Sequence, residues 1–272
     1  MQTETRKRIA VLIPAYNAET IIPRAIESLN QNKEPHDIIV VDDGSRQKLE
    51  SMIAPQPNLV ILRAAQNGGI TRALNLGMKY IVQQGYEYLA RLDADDTAAP
   101  ERLALQREFM DMNQDIALAG SWGKVVSETD NGVLFYLNHP TGHEEIMTKL
   151  YYNSPFLHPS LIIRTAILQQ TGYYSEAYPS AEDYELVRRI AKIARLANIG
   201  KYLINYTSST GGISQGKRKQ QLITRMKVQM AYKNYLSPHF YLGLLKTILL
   251  LAMPVELITA IKMRRKEYQK AG

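Results

Sequence analysis

Short apolar runs alternate with longer helical patterns over the first hundred residues. The runs are rich in β-branched side chains and lie at residues 8–13, 37–41, 59–62 and 86–92. Each run predicts a buried parallel strand. Between them, residues 22–29 and 70–81 carry apolar side chains at the i, i+3, i+4 and i+7 spacing of one helix face. This alternation predicts an α/β fold with an open, doubly wound, mostly parallel sheet.

Stretches of polar and turn-forming residues follow the predicted strands at their carboxyl ends. They are Pro14-Ala15-Tyr16-Asn17, Asp42-Asp43-Gly44-Ser45, Gln66-Asn67-Gly68-Gly69 and Asp93-Ala94-Asp95-Asp96. Each stretch alone is also typical of a turn or a helix cap. Parallel strands present their carboxyl ends at one edge of the sheet, where such folds bind ligands. The four stretches together therefore predict one polar crevice.

Three aspartates within four positions require a nearby positive charge. Asp93, Asp95 and Asp96 would repel one another if all were ionised without a cation among them. Carboxylate oxygens suit Mg²⁺ or Mn²⁺, and Mg²⁺ completes its coordination with waters and substrate phosphates. We therefore predict that Asp93 and Asp95 hold a divalent cation that carries a diphosphate. Together with Arg72, the cation would neutralise the charge on a departing nucleoside diphosphate.

Three further positions allow two interpretations each. Glu182 and Asp183 begin a predicted helix, where acidic residues stabilise the helix dipole, but one of them is also a candidate general base for an acceptor hydroxyl. Trp122 either stacks on a sugar ring or packs in the core. His158 either lies at an acceptor site or is a buried imidazole. Spacing alone does not decide these cases.

The remaining chain is predicted as one domain and a tail. Residues 100–112 predict a helix with Pro100 in its first turn, followed by an apolar segment at 116–120. Later loop residues mixed with aromatics suggest a second wall of the substrate site. Because neither a repeat nor a linker interrupts the pattern, residues 1–215 are predicted to form the catalytic domain. Residues 216–272 are predicted to form a basic, partly apolar helical tail.

Composition excludes several classes of protein. With 272 residues, 45% of them hydrophobic, the chain has the composition of a globular protein. It has no cysteine, which excludes disulfides and cysteine-based metal sites and fits a reducing compartment. Basic residues precede the first apolar run, but the run ends at Pro14 and is too short for the core of a signal peptide.

Positive charge is concentrated in the tail. Residues 217–272 contain twelve Lys and Arg against two Glu, a balance of +10, so the preceding residues sum to −3 of the total +7. Such asymmetry indicates an anionic partner, either nucleic acid or a membrane surface. The longest uncharged stretch of the apolar part is only nine residues, 247–255, whereas a bilayer span needs about twenty.

The tail is therefore predicted to lie on an anionic membrane surface and not to bind nucleic acid. Its apolar side would enter the interface, and a basic cluster would face the headgroups. That cluster is Lys262, Arg264, Arg265 and Lys266. The alternative is a helix that docks on the catalytic domain or on a second subunit of a homodimer.

Eight motifs in order resemble one enzyme family. They are VLIPAYN, IIVVDDGS, NGGITRALNLG, YLARLDADD, PERLALQ, GSW, HPSLIIR and AEDYEL. Over residues 8–215 the chain resembles the family 2 inverting glycosyltransferases of bacterial polysaccharide and lipopolysaccharide synthesis, which have the GT-A fold, a Rossmann-like sheet. The resemblance implies a nucleotide-sugar donor, most often a UDP-sugar, with Mn²⁺ or Mg²⁺, and a glycan or lipid-linked acceptor. It also implies a cytoplasmic enzyme at the inner face of the bacterial cytoplasmic membrane.

The resemblance also implies roles for particular residues. Pro14, Tyr16 and Asp43 would line the nucleoside pocket, Asp93 and Asp95 would hold the ribose and the metal-diphosphate, and Asp183 would be the base. The full set predicted to bind substrate is Pro14, Ala15, Tyr16, Asn17, Asp42, Asp43, Asn67, Arg72, Arg91, Asp93, Trp122, His158 and Glu182.

One motif departs from the family pattern. Relatives often show Tyr-Arg-x-His-x-x-x-Ile-Ser late in the domain, with the histidine helping to bind metal. Here the stretch is YTSSTGGIS, so Thr207 and Ser209 stand at the arginine and histidine positions. Whether Ser209 replaces the histidine is left open, and weak metal binding without donor is expected.

Other classes of function fit the sequence less well. A nucleotidyltransferase would usually have a glycine-rich basic loop after the first strand, and IPAYNAET has neither feature. A catalytically silent nucleotide-sugar-binding module at the membrane would not need Asp183 beside the Asp-x-Asp motif. The segment 212–216 matches the Gly-x-Ser-x-Gly turn of hydrolases, but no acidic residue lies between Ser214 and His239 to complete that site.

Overall fold

A computed structural model describes residues 8–208 and 218–253. Within these ranges there are nine strands and eight α-helices. The strands are β1 (Ile9–Ala15), β2 (His36–Asp42), β3 (Leu59–Arg63), β4 (Tyr88–Arg91), β5 (Thr97–Ala98), β6 (Ile116–Ser127), β7 (Val133–Leu137), β8 (Ile162–Arg164) and β9 (Arg195–Ser208). The helices are α1 (Ile22–Asn30), α2 (Ile70–Gln83), α3 (Arg102–Met112), α4 (His143–Lys149), α5 (Thr165–Thr171), α6 (Glu182–Ile190), α7 (Arg218–Ala231) and α8 (Pro238–Ala252).

All nine strands form one sheet, in the order β3-β2-β1-β4-β8-β6-β9-β5, with β7 paired to β6. Strands β3, β2, β1 and β4 are mutually parallel, as the sequence pattern predicts. Strand β8 lies antiparallel between β4 and β6, and β6 is parallel to β9. The α/β prediction is confirmed, and the antiparallel strands β5, β7 and β8 are an addition to it.

Helices cover both faces of the sheet and explain its continuous apolar runs. Alternate residues of a strand point to opposite faces. Ile9, Val11 and Ile13 therefore pack with α1 and α3, whereas Ala10 and Leu12 pack with α2 and the helices that follow. Since both faces are buried, β1 has no polar position until it ends. The polar side chains that follow β1 and β2 thus lie at the same edge of the sheet.

The two helices of the tail dock on the catalytic domain. Val228 of α7 is fully buried in the core. Gln229 donates to the Tyr151 carbonyl oxygen at 2.8 Å, and the Tyr232 hydroxyl donates to Glu185 at 2.7 Å. The predicted basic cluster at 262–266, Ser209 and the 212–216 motif lie outside the described residues. No helix in the described part of the chain has the length and apolarity needed to cross a bilayer.

Candidate active site

The end of β1 presents two exposed side chains to the predicted crevice. Pro14 and Ala15 are buried within the strand, whereas Tyr16 and Asn17 are exposed. Asn17 has φ 49°, a left-handed conformation that asparagine tolerates well. Its main-chain NH donates to Ser45 Oγ at 2.9 Å, and its own side-chain oxygen accepts from the Arg46 NH at 3.0 Å. These bonds hold the turn after β1 against the turn after β2.

Asp42 and Asp43 support that edge of the sheet. The Asp42 carboxylate, only 1% exposed, accepts from the Ser45 NH at 2.8 Å and pairs with Arg63. Burial raises the pKa of Asp42, but these partners outweigh burial and the net shift is downward. Asp43 accepts from the NH groups of Gly68 and Gly69 at 3.0 and 2.8 Å. Both carboxylates are therefore engaged by the protein itself.

The segment after β3 lies against this turn and leads into α2. Gly44 has φ +72°, and a Cβ there would lie 2.7 Å from the Asn67 nitrogen, so the turn requires glycine. The side chain of Asn67 is exposed. Arg72 is 62% exposed and pairs with Glu176 at 2.9 Å. An exposed pair of this kind contributes at most about 1 kcal/mol, so exchanging Glu176 for a phosphate would cost little.

The three aspartates after β4 form a cluster. One carboxylate oxygen from each of Asp93, Asp95 and Asp96 lies within 4.8 Å of the others. Asp96 is fully buried and accepts from the Thr207 NH at 2.8 Å, but its Oδ2 has no hydrogen-bond partner among the described residues. Burial and the neighbouring aspartates raise the pKa of Asp96 well above its usual range, and the pKa of Asp95 is raised for the same reasons. A buried carboxylate oxygen without a hydrogen-bond partner, in a cluster of three carboxylates, is a suitable ligand for a divalent cation.

One arginine lies beneath the cluster. The Arg91 side chain is 2% exposed, and its Nη2 lies 2.7 Å from Asp93 Oδ1. Burial lowers the pKa of Arg91, but the Asp93 carboxylate outweighs burial, and the net shift is upward. The other two nitrogens of Arg91, Nε and Nη1, find no partner in the described part of the chain. Arg91 pairs with only one of the three carboxylates, so the cluster keeps a deficit of positive charge.

Two further arginines contact this region, and the sequence analysis assigned neither of them to the site. Arg102 is fully buried and donates to the Arg91 carbonyl oxygen at 2.6 Å, which fixes the end of β4. Burial lowers the pKa of Arg102 to about 9. Arg24 of α1 donates to the Asp95 carbonyl oxygen at 2.9 Å. Arg102 lies within the PERLALQ motif, whereas the only sequence signal for Arg24 is its place in the first turn of a helix that packs on the sheet.

Asp183 lies in the first turn of α6 and is partly exposed, while Glu182 is buried. Burial raises the pKa of Asp183, opposed by the charges of Arg91 and Arg225. Burial and the Asp183 charge raise the pKa of Glu182. A partly exposed carboxylate with a raised pKa is better suited to accept a proton than an ordinary surface aspartate. The position of the pair at a helix start also agrees with the helix-dipole interpretation.

His158, which is partly exposed, and the buried Tyr174 form a pair near the same charges. His158 Nε2 lies 2.8 Å from the Tyr174 hydroxyl. Burial and the Arg91 charge hold the pKa of His158 well below its usual range, so the imidazole is neutral. Burial raises the pKa of Tyr174, and the Asp183 charge adds to the rise. The main chain of Tyr174 is clamped by two hydrogen bonds of 2.9 Å with the Asn75 side chain.

Trp122 lies in a different group of side chains. Its indole NH donates to the His139 carbonyl oxygen at 2.8 Å, and its ring centroid lies 5.4 Å from that of Tyr202. Tyr202 in turn packs against Tyr136 at 4.9 Å. Within residues 8–208 and 218–253, no hydrogen bond or ring contact joins Trp122 to the aspartate cluster or to Asp183. Trp122 thus contacts residues other than the aspartate cluster and Asp183, and its role in stacking on a sugar ring stays a prediction.

The mostly parallel sheet with an aspartate cluster at the carboxyl end of β4 is the arrangement of an α/β protein that binds its ligand at the strand ends. Residues 10–172, more than half of the chain, match the family model described as Glycosyl transferase family 2. The chain belongs to this family and is a glycosyltransferase. The earlier resemblance is thus confirmed for both family and fold.

Relatives and solved structures extend this finding. The amylovoran biosynthesis glycosyltransferase AmsE of Erwinia amylovora is 25% identical over 262 residues, which cover 92% of this chain and 96% of that protein. S. aureus TarS 1-349 in complex with UDP-GlcNAc superimposes with a TM-score of 0.65 at 22% identity, over 82% of this chain and 66% of that one. This chain thus spans just under two thirds of the length of that structure.

A mannosyltransferase from Pyrobaculum calidifontis, PcManGT, has the same fold. In complex with GDP-Man and Mn²⁺ it gives a TM-score of 0.65 at 17% identity, over 87% of this chain and 68% of that one. At these identities the two structures establish the GT-A fold of this chain. The donor and the acceptor of this chain have to be argued from its own residues.

Proposed function

We propose that this protein is an inverting glycosyltransferase. It moves a hexosyl or N-acetylhexosaminyl group from a UDP-sugar to a hydroxyl of a glycan or lipid-linked acceptor in cell-surface polysaccharide or lipopolysaccharide synthesis. The observation that carries the proposal is that the buried Arg91 pairs with Asp93 of the aspartate cluster, while its charge also acts on Asp183, whose pKa burial raises. The AmsE relative and the TarS complex with UDP-GlcNAc support the polysaccharide context and the donor class.

The crevice along the sheet edge suits the donor. Tyr16 and Asn17 are the exposed side chains beside the Asp43 turn, and they would contact the nucleoside. Asp93 and Asp95 would hold Mn²⁺ or Mg²⁺, which supplies positive charge to the diphosphate. The PcManGT complex with GDP-Man and Mn²⁺ supports this choice of ion. Arg72, whose partner Glu176 is weakly held, would add a second positive charge at the leaving diphosphate.

Asp183 would act as the general base. It removes the proton from the acceptor hydroxyl while that oxygen forms a bond to the anomeric carbon. The bond from that carbon to the diphosphate oxygen breaks at the same time, and the nucleoside diphosphate leaves with the electron pair. A single displacement from the opposite face inverts the anomeric configuration. Burial, which raises the pKa of Asp183, makes its carboxylate a stronger base.

The test combines product stereochemistry with one substitution. Nucleotide sugars are first screened for thermal stabilisation with and without Mn²⁺, and the best donor is used for turnover. NMR of the anomeric proton should show a β-linked product from an α-linked donor. Asp183→Asn should bind donor normally and lose about 10² to 10⁴ in turnover, while Glu182→Gln should lose much less. Retention of configuration, or wild-type turnover by Asp183→Asn, would refute the proposal.

We also propose that an anionic membrane on the cytoplasmic side is a partner of the tail. Helix α8 buries Phe240, Gly243 and Thr247 against the domain and turns the opposite side outward. That side is an apolar stripe of half-exposed residues, Tyr241, Leu242, Leu245, Ile248 and Leu249. The chain then continues into residues 254–272, which carry five Lys and Arg against two Glu. An apolar stripe that is followed in sequence by positive charge fits the interface of an anionic bilayer.

Vesicle co-sedimentation tests this partner. The full chain should sediment with phosphatidylglycerol vesicles, less so with phosphatidylcholine, and the binding should weaken as salt rises. Leu245→Glu combined with Leu249→Glu should abolish it, whereas Ile193→Glu, at an exposed site of the catalytic domain, should not. A stable homodimer in light scattering that covers the stripe, without vesicle binding, would replace the membrane by a second copy of the chain.

A further inference from the structure

Arg24 joins three parts of the molecule that are distant in sequence. Its Nη2 donates to the Asp95 carbonyl oxygen and to Thr207 Oγ1, both at 2.9 Å. Its Nη1 donates to the Asn131 side-chain oxygen at 2.9 Å. The guanidinium of α1 thus connects the aspartate cluster, the end of β9 and the turn between β6 and β7.

Thr207 extends this connection to two of the aspartates. Its hydroxyl donates to the Asp95 carbonyl oxygen at 2.5 Å, and its main-chain NH donates to Asp96 Oδ1 at 2.8 Å. The carbonyl oxygen of Asp95 therefore receives hydrogen bonds from both Thr207 and Arg24, and Arg24 also holds the Thr207 hydroxyl. Since the Asp95 carboxylate is attached to the residue whose main chain is held, the direction of that carboxylate depends on this network.

The contacts of Arg24 suggest a role other than packing. Its side chain is exposed, and α1 is anchored in the core by Ile22, Ala25, Ile26 and Leu29. Removing the guanidinium would leave that apolar contact intact. The guanidinium of arginine spreads its donors over three nitrogens in a fixed plane, whereas the three donors of a lysine ammonium share one nitrogen on a flexible stem.

We propose that Arg24 is a positioning residue for the metal and diphosphate site. It holds the Asp95–Asp96 segment against β9 so that the carboxylates of Asp93, Asp95 and Asp96 converge on one cation. Arg24 does not itself coordinate the cation, because its contacts in the cluster are with a carbonyl oxygen and a hydroxyl. The inference rests on the proposed function, since it concerns the same cation.

The test measures metal binding apart from turnover. Mn²⁺ is titrated into the protein in the presence of UDP, and separately in the presence of GDP. Electron paramagnetic resonance measures the free Mn²⁺ at each step. Arg24→Ala should raise the half-saturating Mn²⁺ concentration about 10 to 100-fold, the range found when a group that orients a metal ligand is removed. Nucleotide affinity without metal, measured by calorimetry, should stay within about two-fold, because the nucleoside contacts lie at the ends of β1 and β2.

Two variants control for charge and for fold. Arg24→Lys keeps the charge but should not restore metal binding, and Arg195→Ala, which removes another exposed arginine from an ion pair, should match wild type. If Arg24→Ala fails to fold, Thr207→Val tests the same network by removing the hydroxyl while keeping the side-chain volume. It should shift Mn²⁺ binding in the same direction.

The outcomes separate this inference from the proposed function. Wild-type protein that binds no Mn²⁺ with either nucleotide would overturn the metal site and the role of Arg24 together. Wild-type protein that binds Mn²⁺ normally, with Arg24→Ala or Thr207→Val unchanged, would overturn only the role of Arg24. Equal losses of nucleotide affinity with and without metal would show general damage and would also overturn it.

Discussion

The carboxyl ends of β2 and β4 lie on either side of β1, and both carry adjacent aspartates. After β2, the carboxylates of Asp42 and Asp43 are surrounded by donors from Ser45, the Gly68–Gly69 segment and Arg63. After β4, three carboxylates face one another within 4.8 Å, and Arg91 pairs with one of them. The two ends look alike in sequence and differ in how many donors the protein supplies.

The pKa directions record this difference. At Asp42, hydrogen bonds and Arg63 outweigh burial, and the pKa falls. At Asp95 and Asp96, burial and mutual repulsion raise the pKa. A density of acidic residues is therefore not enough to identify a metal site. The useful criterion is whether the fold itself satisfies the carboxylates, because an unsatisfied cluster is the one that a cation stabilises.

The largest expected effect is at the β4 end. Asp95→Ala should reduce UDP affinity in the presence of Mn²⁺ by at least about 10²-fold and remove its metal dependence, since a direct ligand should matter no less than the groups that orient it. Calorimetry with and without Mn²⁺ measures both quantities. Asp42→Asn is the matched control and should keep the metal dependence. If Asp95→Ala binds UDP with unchanged metal dependence, the cation site is not at the β4 end.

A smaller effect, on stability, is expected at the β2 end. Asp42→Asn loses the Arg63 ion pair and places an amide NH₂ against other donors. It should lower the free energy of unfolding by about 1.5 to 3 kcal/mol, the range for hydrogen bonds to charged groups. Urea denaturation of the metal-free protein measures this. Asp115→Asn, in an exposed pair with Arg195, should cost less than about 1 kcal/mol. Equal losses in the two variants would contradict a supporting role for Asp42.

The smallest effect is in the pH dependence, which should have opposite signs at the two ends. The folded pKa of Asp96 is raised, so the folded state binds more protons than the unfolded state above about pH 3.9. Metal-free protein should gain stability from this group as pH falls from neutral, and lose it as pH rises through the raised pKa. The folded pKa of Asp42 is lowered, so its contribution is present at neutral pH and is lost on acidification.

Asp96→Asn isolates this pH effect. The amide keeps an oxygen for the Thr207 NH but carries no charge. Without metal it should therefore be more stable than wild type at neutral pH, and the difference should shrink as pH falls. Urea denaturation between about pH 5 and 8 in the presence of a chelator follows the difference. A variant that is less stable than wild type at every pH would show that Asp96 is already satisfied within the fold.

The sequence predicted the first half of the fold, in which the buried residues of each strand and helix follow a regular pattern. Strands β1 to β4 and helices α1 to α3 appear within about two residues of their predicted limits, because buried strands need continuous apolar runs and helices need one apolar face. Strands β5 and β8 have only two and three residues, too few for a period to be recognised. Strand β9 is long, but its burial follows no simple alternation, and it was not predicted.

The same reasoning explains which site residues were found. The strand-end aspartates follow directly from predicted strands, so their common edge could be predicted. Arg24 and Thr207 meet Asp95 from 71 and 112 positions away. Their contacts depend on the position of β9 between β5 and β6. Local periodicity in the sequence does not predict the order of strands in the second half of the sheet. The assignments of individual residues to donor binding and catalysis, Trp122 and Asp42 included, stay predictions.

Gly243 has a consequence for handling the protein. A Cβ at this position would lie 2.0 Å from the Tyr151 carbonyl oxygen, so only this side of α8 can face the domain. The helix cannot roll to hide Leu245 and Leu249. In aqueous buffer, therefore, the apolar stripe of α8 stays exposed on the purified protein. Large exposed apolar patches promote aggregation. Turbidity that grows with protein concentration and clears in mild detergent is expected, and Leu245→Glu should remove it without any change of buffer.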